Sequence, residues 1–320
     1  MRPCRPHLLV SMLALLALAG IPGVPAQETQ TDPPVPVEAV ESYNAGLELA
    51  QSGKFSEART KFEEALATAP AFGAARYNLG LVLRQLGDKQ GAVKELLASL
   101  ADAPQPAAAH RILGELLAEL DRAADAMTHY EKALALDAEM SDLYYVMADL
   151  LQRTAKTEDE TSAAVAAYER ALEKVPRNPS ALRAYKILGK AYYRGGQREK
   201  ALTMYDRAAR LDPKDAELQY NRGVLSNQLD KTEQAIEALE KAIELKNPNG
   251  KAFFALAEIY YNTLHLDEKA ARAYESAAAD PEFNKLDLAN ERALMIREYL
   301  EKKAQAEKTA EDGAGSDGGD

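Results

Sequence analysis

Small and large apolar residues recur along the middle of the chain in a fixed order. Counting from Gly46, an alanine follows twelve residues later (Ala58), a large apolar residue four after that (Phe62), and a small one three further on (Ala65). The same order returns as Gly80, Ala92, Leu96 and Ser99, and as Gly114, Ala126, Tyr130 and Ala133. It returns again as Gly189, Ala201, Tyr205 and Ala208, and as Gly223, Ala235, Leu239 and Ala242. Spacings of four and three stack on one face of an α-helix, so each set predicts a helix with a single apolar stripe. The glycines also fall inside helical patterns, where glycine costs about 1 kcal/mol relative to alanine. A cost repeated at constant phase implies a repeated need, namely two helices that approach too closely for a side chain. Short turns such as QSGKF (51–55) and YRGGQ (193–197) separate the two helices of a unit, and Pro70, Pro104 and Pro213 fall where units end.

The phase of these positions is 34 residues, and the segments YNAGLELAQSGKFSEARTKFEEALATAP, YKILGKAYYRGGQREKALTMYDRAARLDP and YNRGVLSNQLDKTEQAIEALEKAIELKNP carry it most fully. In this pattern the chain resembles the tetratricopeptide repeat family, whose period and terminal proline it shares. The resemblance implies an all-α fold, a right-handed superhelical solenoid of antiparallel helix pairs. Seven units start at residues 39, 73, 107, 141, 182, 216 and 250. Two depart from the pattern. The fourth has Ala148 in the glycine place, and its next signature alanine, Ala164, comes sixteen residues on. The extra four residues are assigned to a polar turn in RTAKTEDET (153–161), and three more fall near 178–180. The seventh has Ala257 for glycine and shifts by one residue before Ala270, Tyr274 and Ala277. A repeat array builds its core from neighbour contacts, so 320 residues form one elongated body instead of the two or three domains that length suggests.

The ends read differently. Residues 1–26 have the layout of a secretory signal peptide: Arg2 and Arg5, an apolar run from Leu8 to Ala19, and Val24 and Ala26 placed for cleavage. An uncleaved signal anchor is the alternative. Residues 27–38 form a proline-rich disordered linker, the repeats occupy 39–284, and 285–307 form a capping helix. In that cap Leu286, Leu294, Ile296 and Leu300 cover the last repeat, and an acidic Gly/Ser/Asp tail (308–320) follows as disordered chain.

Composition narrows the chemistry. A net charge of −11 argues against nonspecific nucleic-acid binding, which depends on neutralising phosphates. The one cysteine, Cys4, allows no disulfide framework or thiolate cluster and leaves with the leader. Loss of Arg2 and Arg5 with it takes the charge from −11 to −13. His110 and His129 fall in different helices of unit three. No HExxH, CxxC, GxSxG or GxxxxGK[ST] motif occurs. No catalytic residue, metal site or cofactor is expected.

Attention therefore falls on the surface. Family resemblance places the second, fifth, ninth and twelfth or thirteenth positions of each first helix on a concave groove. The fifth positions are Tyr43, Tyr77, Arg111, Tyr145, Lys186, Tyr220 and Phe254. The five aromatic ones form either a ladder for a ligand or packing between repeats. Lys186, Lys190, Asn221 and Lys251, joined by Arg183, resemble in part the two-carboxylate clamp by which some members hold a partner's C-terminus. The clamp pattern would have Asn at 190 and Arg at 255, where Lys190 and Ala255 stand. The other reading of the patch is a groove wall whose lysines are neutralised by Glu217 and Glu258. Two function classes follow. One is an exported, non-catalytic scaffold that binds a protein or peptide, with an acidic or C-terminal carboxylate segment, in its groove. The other is a structural or oligomerisation component of an envelope assembly or export machinery.

Overall fold

The computed structural model describes residues 35–102, 107–246 and 249–316. The leader, the linker up to residue 34 and the last four residues of the tail lie outside them. Fifteen helices and no strand occur among the described residues. The first seven are α1 (Val37–Gln51), α2 (Phe55–Thr68), α3 (Gly73–Gln85), α4 (Lys89–Asp102), α5 (Ala107–Glu119), α6 (Ala123–Leu136) and α7 (Leu143–Thr154). After α8 (Glu158–Lys174) come α9 (Ala181–Arg194), α10 (Arg198–Leu211), α11 (Ala216–Gln228), α12 (Thr232–Leu245), α13 (Gly250–Asn262), α14 (Asp267–Ala278) and α15 (Leu286–Ser316). The fold is all-α, as the periodicity requires. The chain divides into two compact units, 1–164 and 165–320, with the boundary inside α8.

In the first unit α1 packs on α2, α3 on α4 and α5 on α6, and each pair meets the next through α2–α3, α4–α5 and α6–α7. Turns of about three residues between paired helices make the partners antiparallel. The close approach implied by the glycines is present. A Cβ on Gly46 would lie 2.8 Å from the Phe62 ring, one on Gly80 2.6 Å from Leu96, and one on Gly114 2.5 Å from Tyr130. In every case the large residue sixteen positions on fills the space that the glycine leaves. The signature residues Ala58, Ala92, Ala126, Ala65, Ser99 and Ala133 are fully buried.

The second unit repeats this construction. α9 packs on α10, α11 on α12 and α13 on α14, with α10–α11 and α12–α13 joining successive pairs. Gly189 meets Tyr205 and Gly223 meets Leu239 in the same manner. α15 closes the array against α14. Its contact face is Ala289, Ala293 and Ile296, with Leu300 at the edge. Leu294, expected on that face, is 62% exposed. Spacings of four and three from Ala289 select the inward stripe, and Leu294 falls off it. The capping segment also runs further than expected. Residues 308–316, read as disordered tail, continue the helix, because 307–311 are Glu, Lys, Thr, Ala and Glu, which largely favour helix.

The fourth repeat corrects a second expectation. The extra residues assigned to 153–161 do not enlarge a turn, since only 155–157 separate α7 from α8. They lengthen α8 at its start, giving 17 residues where α2, α4 and α6 have 14. A capping box explains the choice. The Thr157 hydroxyl accepts from the Glu160 backbone N–H at 3.2 Å, and the Glu160 carboxylate accepts from the N–H of Thr157 at 3.1 Å. Glu158, Asp159 and Glu160 in the first turn also suit the positive end of the helix dipole. Helix α1 likewise begins at Val37, two residues ahead of the expected unit start.

Candidate functional site

First helices position the candidate residues, and most of the aromatic ones turn out to be core. Tyr43, Tyr77 and Tyr145 are 1%, 0% and 2% exposed, so they present no surface to a ligand. Tyr43 packs its ring 4.9 Å from that of Phe72, and its hydroxyl accepts a hydrogen bond from the Asn78 amide at 3.2 Å. Burial pushes the Tyr43 phenol up to about 12 against the opposing effect of Asn78, and burial alone takes Tyr77 to about 12. Tyr220 is half-buried against the α12–α13 core. Phe254 meets Tyr274 edge-on at 5.3 Å and Phe283 at 5.4 Å. Tyr43, Tyr77 and Tyr145 thus serve packing, which corrects the ligand-ladder reading at those three positions, while Tyr220 and Phe254 stay partly exposed. Large residues at a half-buried position are drawn into the seam between repeats, where they remove apolar area from water.

Charged groove positions form rungs between successive repeats. In the first unit Arg84 on α3 meets Glu115 on α5 at 2.9 Å, and Arg111 on α5 bridges Glu115 at 3.2 Å and Asp142 at 2.9 Å. In the second unit Lys186 pairs with Asp215, and Lys190 lies 3.7 Å from Glu217. Asp215 was not singled out in the sequence, although it holds Lys186 and caps α11 by accepting from the Leu218 N–H at 3.0 Å. Burial would raise the Asp215 carboxyl, yet the Lys186 ammonium and the backbone N–H groups of Leu218 and Glu217 hold it below the usual range. Its signal was legible as an Asp immediately before a helix start. Glu258, expected to neutralise the lysines, instead accepts from the Tyr274 hydroxyl and pairs with Arg292 at 3.7 Å.

The lysine patch therefore sits on three successive first helices with some of its charge already engaged. Arg183, Lys186 and Lys190 share α9, Asn221 is half-buried on α11, and Lys251 is exposed on α13. One face of α9 carries Arg183, Lys186, Lys190, Tyr193 and Arg194 at helical spacing, and the helix contains no acidic residue. The opposite face, with Ala184, Tyr185, Leu188 and Tyr192, is buried. The Lys190–Glu217 rung is more than half exposed at both ends, a setting in which an ion pair is worth about 0–1 kcal/mol.

One pair of side chains from different helices of repeat three comes together in the structure. His110 on α5 and His129 on α6 meet at 2.9 Å between their Nδ1 atoms. They are 19 residues apart, and so are Arg76 and Glu95, which pair at 3.2 Å at the equivalent place in the second repeat. The 34-residue phase relates the two pairs, so the register was available in the sequence. Desolvation lowers both imidazole pKa values, Lys132 lowers them further, and His110 opposes the charging of His129. Among the described residues no cluster of three or more His, Cys, Asp or Glu side chains has metal-binding geometry, and no helix is long and apolar enough to cross a membrane.

Stacked helix pairs, neighbour-only cores and a charged first-helix face define a helical-repeat scaffold of the kind that engages other proteins. Family models described as tetratricopeptide repeat match residues 43–106, 83–141 and 216–249, and one described as TPR repeat matches 189–230. The matches span half of the 320 residues, and the chain belongs to the tetratricopeptide repeat family. It is 31% identical over 155 residues to the DnaJ homolog subfamily C member 7 proteins of Homo sapiens and Mus musculus. That alignment covers 44% of this chain and 30% of the length of each relative. Among solved structures, the C-terminal part of a TPR repeat-containing protein from Cytophaga hutchinsonii aligns with a TM-score of 0.54 at 18% identity, over 77% of this chain and 98% of the other. A Naa15/Naa10 complex bound to HypK-THB aligns with a TM-score of 0.55 at 18% identity, over 85% of this chain and 42% of the other. Both likenesses concern the fold.

Proposed function

We propose that the chain is a non-catalytic adaptor that holds an acidic segment, or the C-terminal carboxylate, of a protein partner along the first helices of repeats five to seven. The observation that carries this reading is the cationic stripe of α9, in a chain of net charge −11. Lysine ammonium groups act as point charges and not as rigid forks, so the site selects for negative charge more than for shape. A ligand carboxylate can displace Glu217 from Lys190, because that rung is solvated and weak. Lys186 stays committed to Asp215 and serves as the edge of the site. The leader-like residues 1–26 support export, with action in the periplasm or outside the cell.

Fluorescence anisotropy with acidic peptides, each bearing a free or an amidated C-terminus, tests the reading. Binding is expected to weaken with salt, as exposed charges are screened within about 10 Å at 0.1 M. The quadruple alanine variant of Lys186, Lys190, Asn221 and Lys251 should bind at least tenfold more weakly while its circular dichroism melt stays cooperative. Equal affinity in that variant would overturn the assignment. Mass spectrometry of the exported chain checks the leader, since removal of residues 1–26 leaves Gln27 first.

A second reading is a structural or self-associating component. Leu294, Met295 and Tyr299 on α15 are 62%, 46% and 54% exposed, more apolar surface than a simple cap needs. Light scattering after size exclusion separates the two, because a monomer at high concentration excludes the self-associating form.

A further inference from the structure

Repeat three holds a side-chain pair that lies apart from the cationic stripe. The imidazoles of His110 and His129 have ring centroids 5.1 Å apart and planes inclined by 32°, so they meet edge to edge through Nδ1 and do not stack. One Nδ1–H donates to the other Nδ1, so the accepting ring is neutral, and desolvation favours the same form in its partner. Neutral imidazole is the form that binds a metal. The separation is also informative. With metal–nitrogen bonds of about 2.0–2.1 Å, nitrogens on adjacent corners of a square plane or octahedron stand about 2.9 Å apart, and on a tetrahedron about 3.3 Å. The observed 2.9 Å is the length of the hydrogen bond the two rings make, and it leaves both nitrogens within reach of a single ion.

We propose that His110 and His129 form a two-imidazole site for a divalent transition ion of tetragonal preference, Cu2+ foremost and Ni2+ more weakly, with water in the remaining positions. Each ring then carries its proton on Nε2 and gives its Nδ1 lone pair to the ion, so no net proton is released at neutral pH. Reorientation of each lone pair by about 45°, largely about the soft χ2 torsions, turns both from each other toward a common point. The bite is preset by the backbone, because Gly114 against Tyr130 fixes how closely α5 and α6 approach. Asp125, one turn before His129 on α6, adds negative charge nearby, although Arg122 pairs with it at 2.6 Å. Lys132 opposes a cation, which keeps the affinity modest. Repeat two, with Arg76 and Glu95 in the same register, has no such site.

Calorimetric titration of the full chain, without an affinity tag, with Cu2+, Ni2+ and Zn2+ tests this. Electron paramagnetic resonance of the Cu2+ form reports the ligands directly. One ion per chain, two equivalent nitrogen couplings and the order Cu2+ above Ni2+ are expected. Affinity should fall at least tenfold in His110→Gln and in His129→Gln, and should not change in His7→Gln or His265→Gln. Binding that survives both glutamine changes at positions 110 and 129 overturns the proposal. Should either variant fail to fold, the wild-type resonance decides alone: two nitrogen couplings sustain the site, and one or none removes it.

Discussion

A single backbone position in the turn of six of the seven hairpins shows how the repeat tolerates substitution. Gly53, Gly87, Asp121, Gly196, Asp230 and His265 all take left-handed backbone, with φ between 53° and 85°, fourteen residues after the unit start or fifteen in the last repeat. Glycine adopts this region without strain, whereas a residue with Cβ is strained by about 1–2 kcal/mol, less for Asp. Asp230→Gly relieves this strain but enlarges the freedom of the unfolded chain, so it is expected to change the stability of the second unit by less than about 0.5 kcal/mol, measured by urea denaturation. The helix-interior glycines are less tolerant. Gly114→Ala drives a methyl to 2.5 Å from Tyr130, and an overpacking cost of about 1–3 kcal/mol should appear as a lower urea midpoint with an unchanged slope. The second behaviour was legible in the sequence, because glycine repeated at one phase of an apolar stripe signals helices in close approach. The fate of Tyr43, Tyr77 and Tyr145 was not. A tyrosine at a groove-edge position reads equally well as contact surface or as seam, and only the packing of the next helix decides.

Helices as whole elements were legible to within a residue or two wherever the 34-residue phase held. α3, α5, α11 and α13 begin at the expected 73, 107, 216 and 250. The phase failed where a local interaction outcompeted the repeat. In the fourth unit, Thr157 and Glu160 recruited the inserted residues into α8, although their polar character suggested a turn. In α15 the expected Ile296 supplies the contact together with the small residues Ala289 and Ala293, whereas Leu294, which hydrophobicity alone also suggested, faces away. That contact face carries a prediction. Ile296→Asp places a charge at a 2%-exposed position against Tyr274 and its neighbours. It should lower the thermal midpoint of the second unit, with a loss of about 2–4 kcal/mol by calorimetry, whereas Leu294→Asp should be nearly neutral.

For the molecule as a whole, charge and ionisation set the range in which the fold holds. Tyr43, Tyr77 and Tyr130 are each held up to about 12 by burial, against about 10 for an unfolded tyrosine. A folded pKa raised in this way contributes stability that is complete below about pH 10 and is lost as the pH climbs towards 12. Alkaline unfolding should coincide with the rise in phenolate absorbance between those values, and Tyr77→Phe should move it to higher pH. The candidate site was legible as a cluster of lysines with Glu217 as a neutralising partner, whereas Asp215 was not. The acidic partners come from the next repeat, Asp215 and Glu217 facing Lys186 and Lys190, and such pairings depend on how two hairpins stack. Apolar phase along one strand of sequence does not report that geometry.

The cross-hairpin register of 19 residues has a consequence for how such an array can be edited. Arg76 with Glu95 and His110 with His129 occupy one slot of the repeat, while the glycine-to-large-residue contact that sets helix spacing lies elsewhere on the same two helices. The slot is thus a socket whose contents can be exchanged while the frame stays in place. Writing two histidines into positions 76 and 95 would wire a second ion port into the neighbouring hairpin, and returning Arg and Glu to 110 and 129 would close the first.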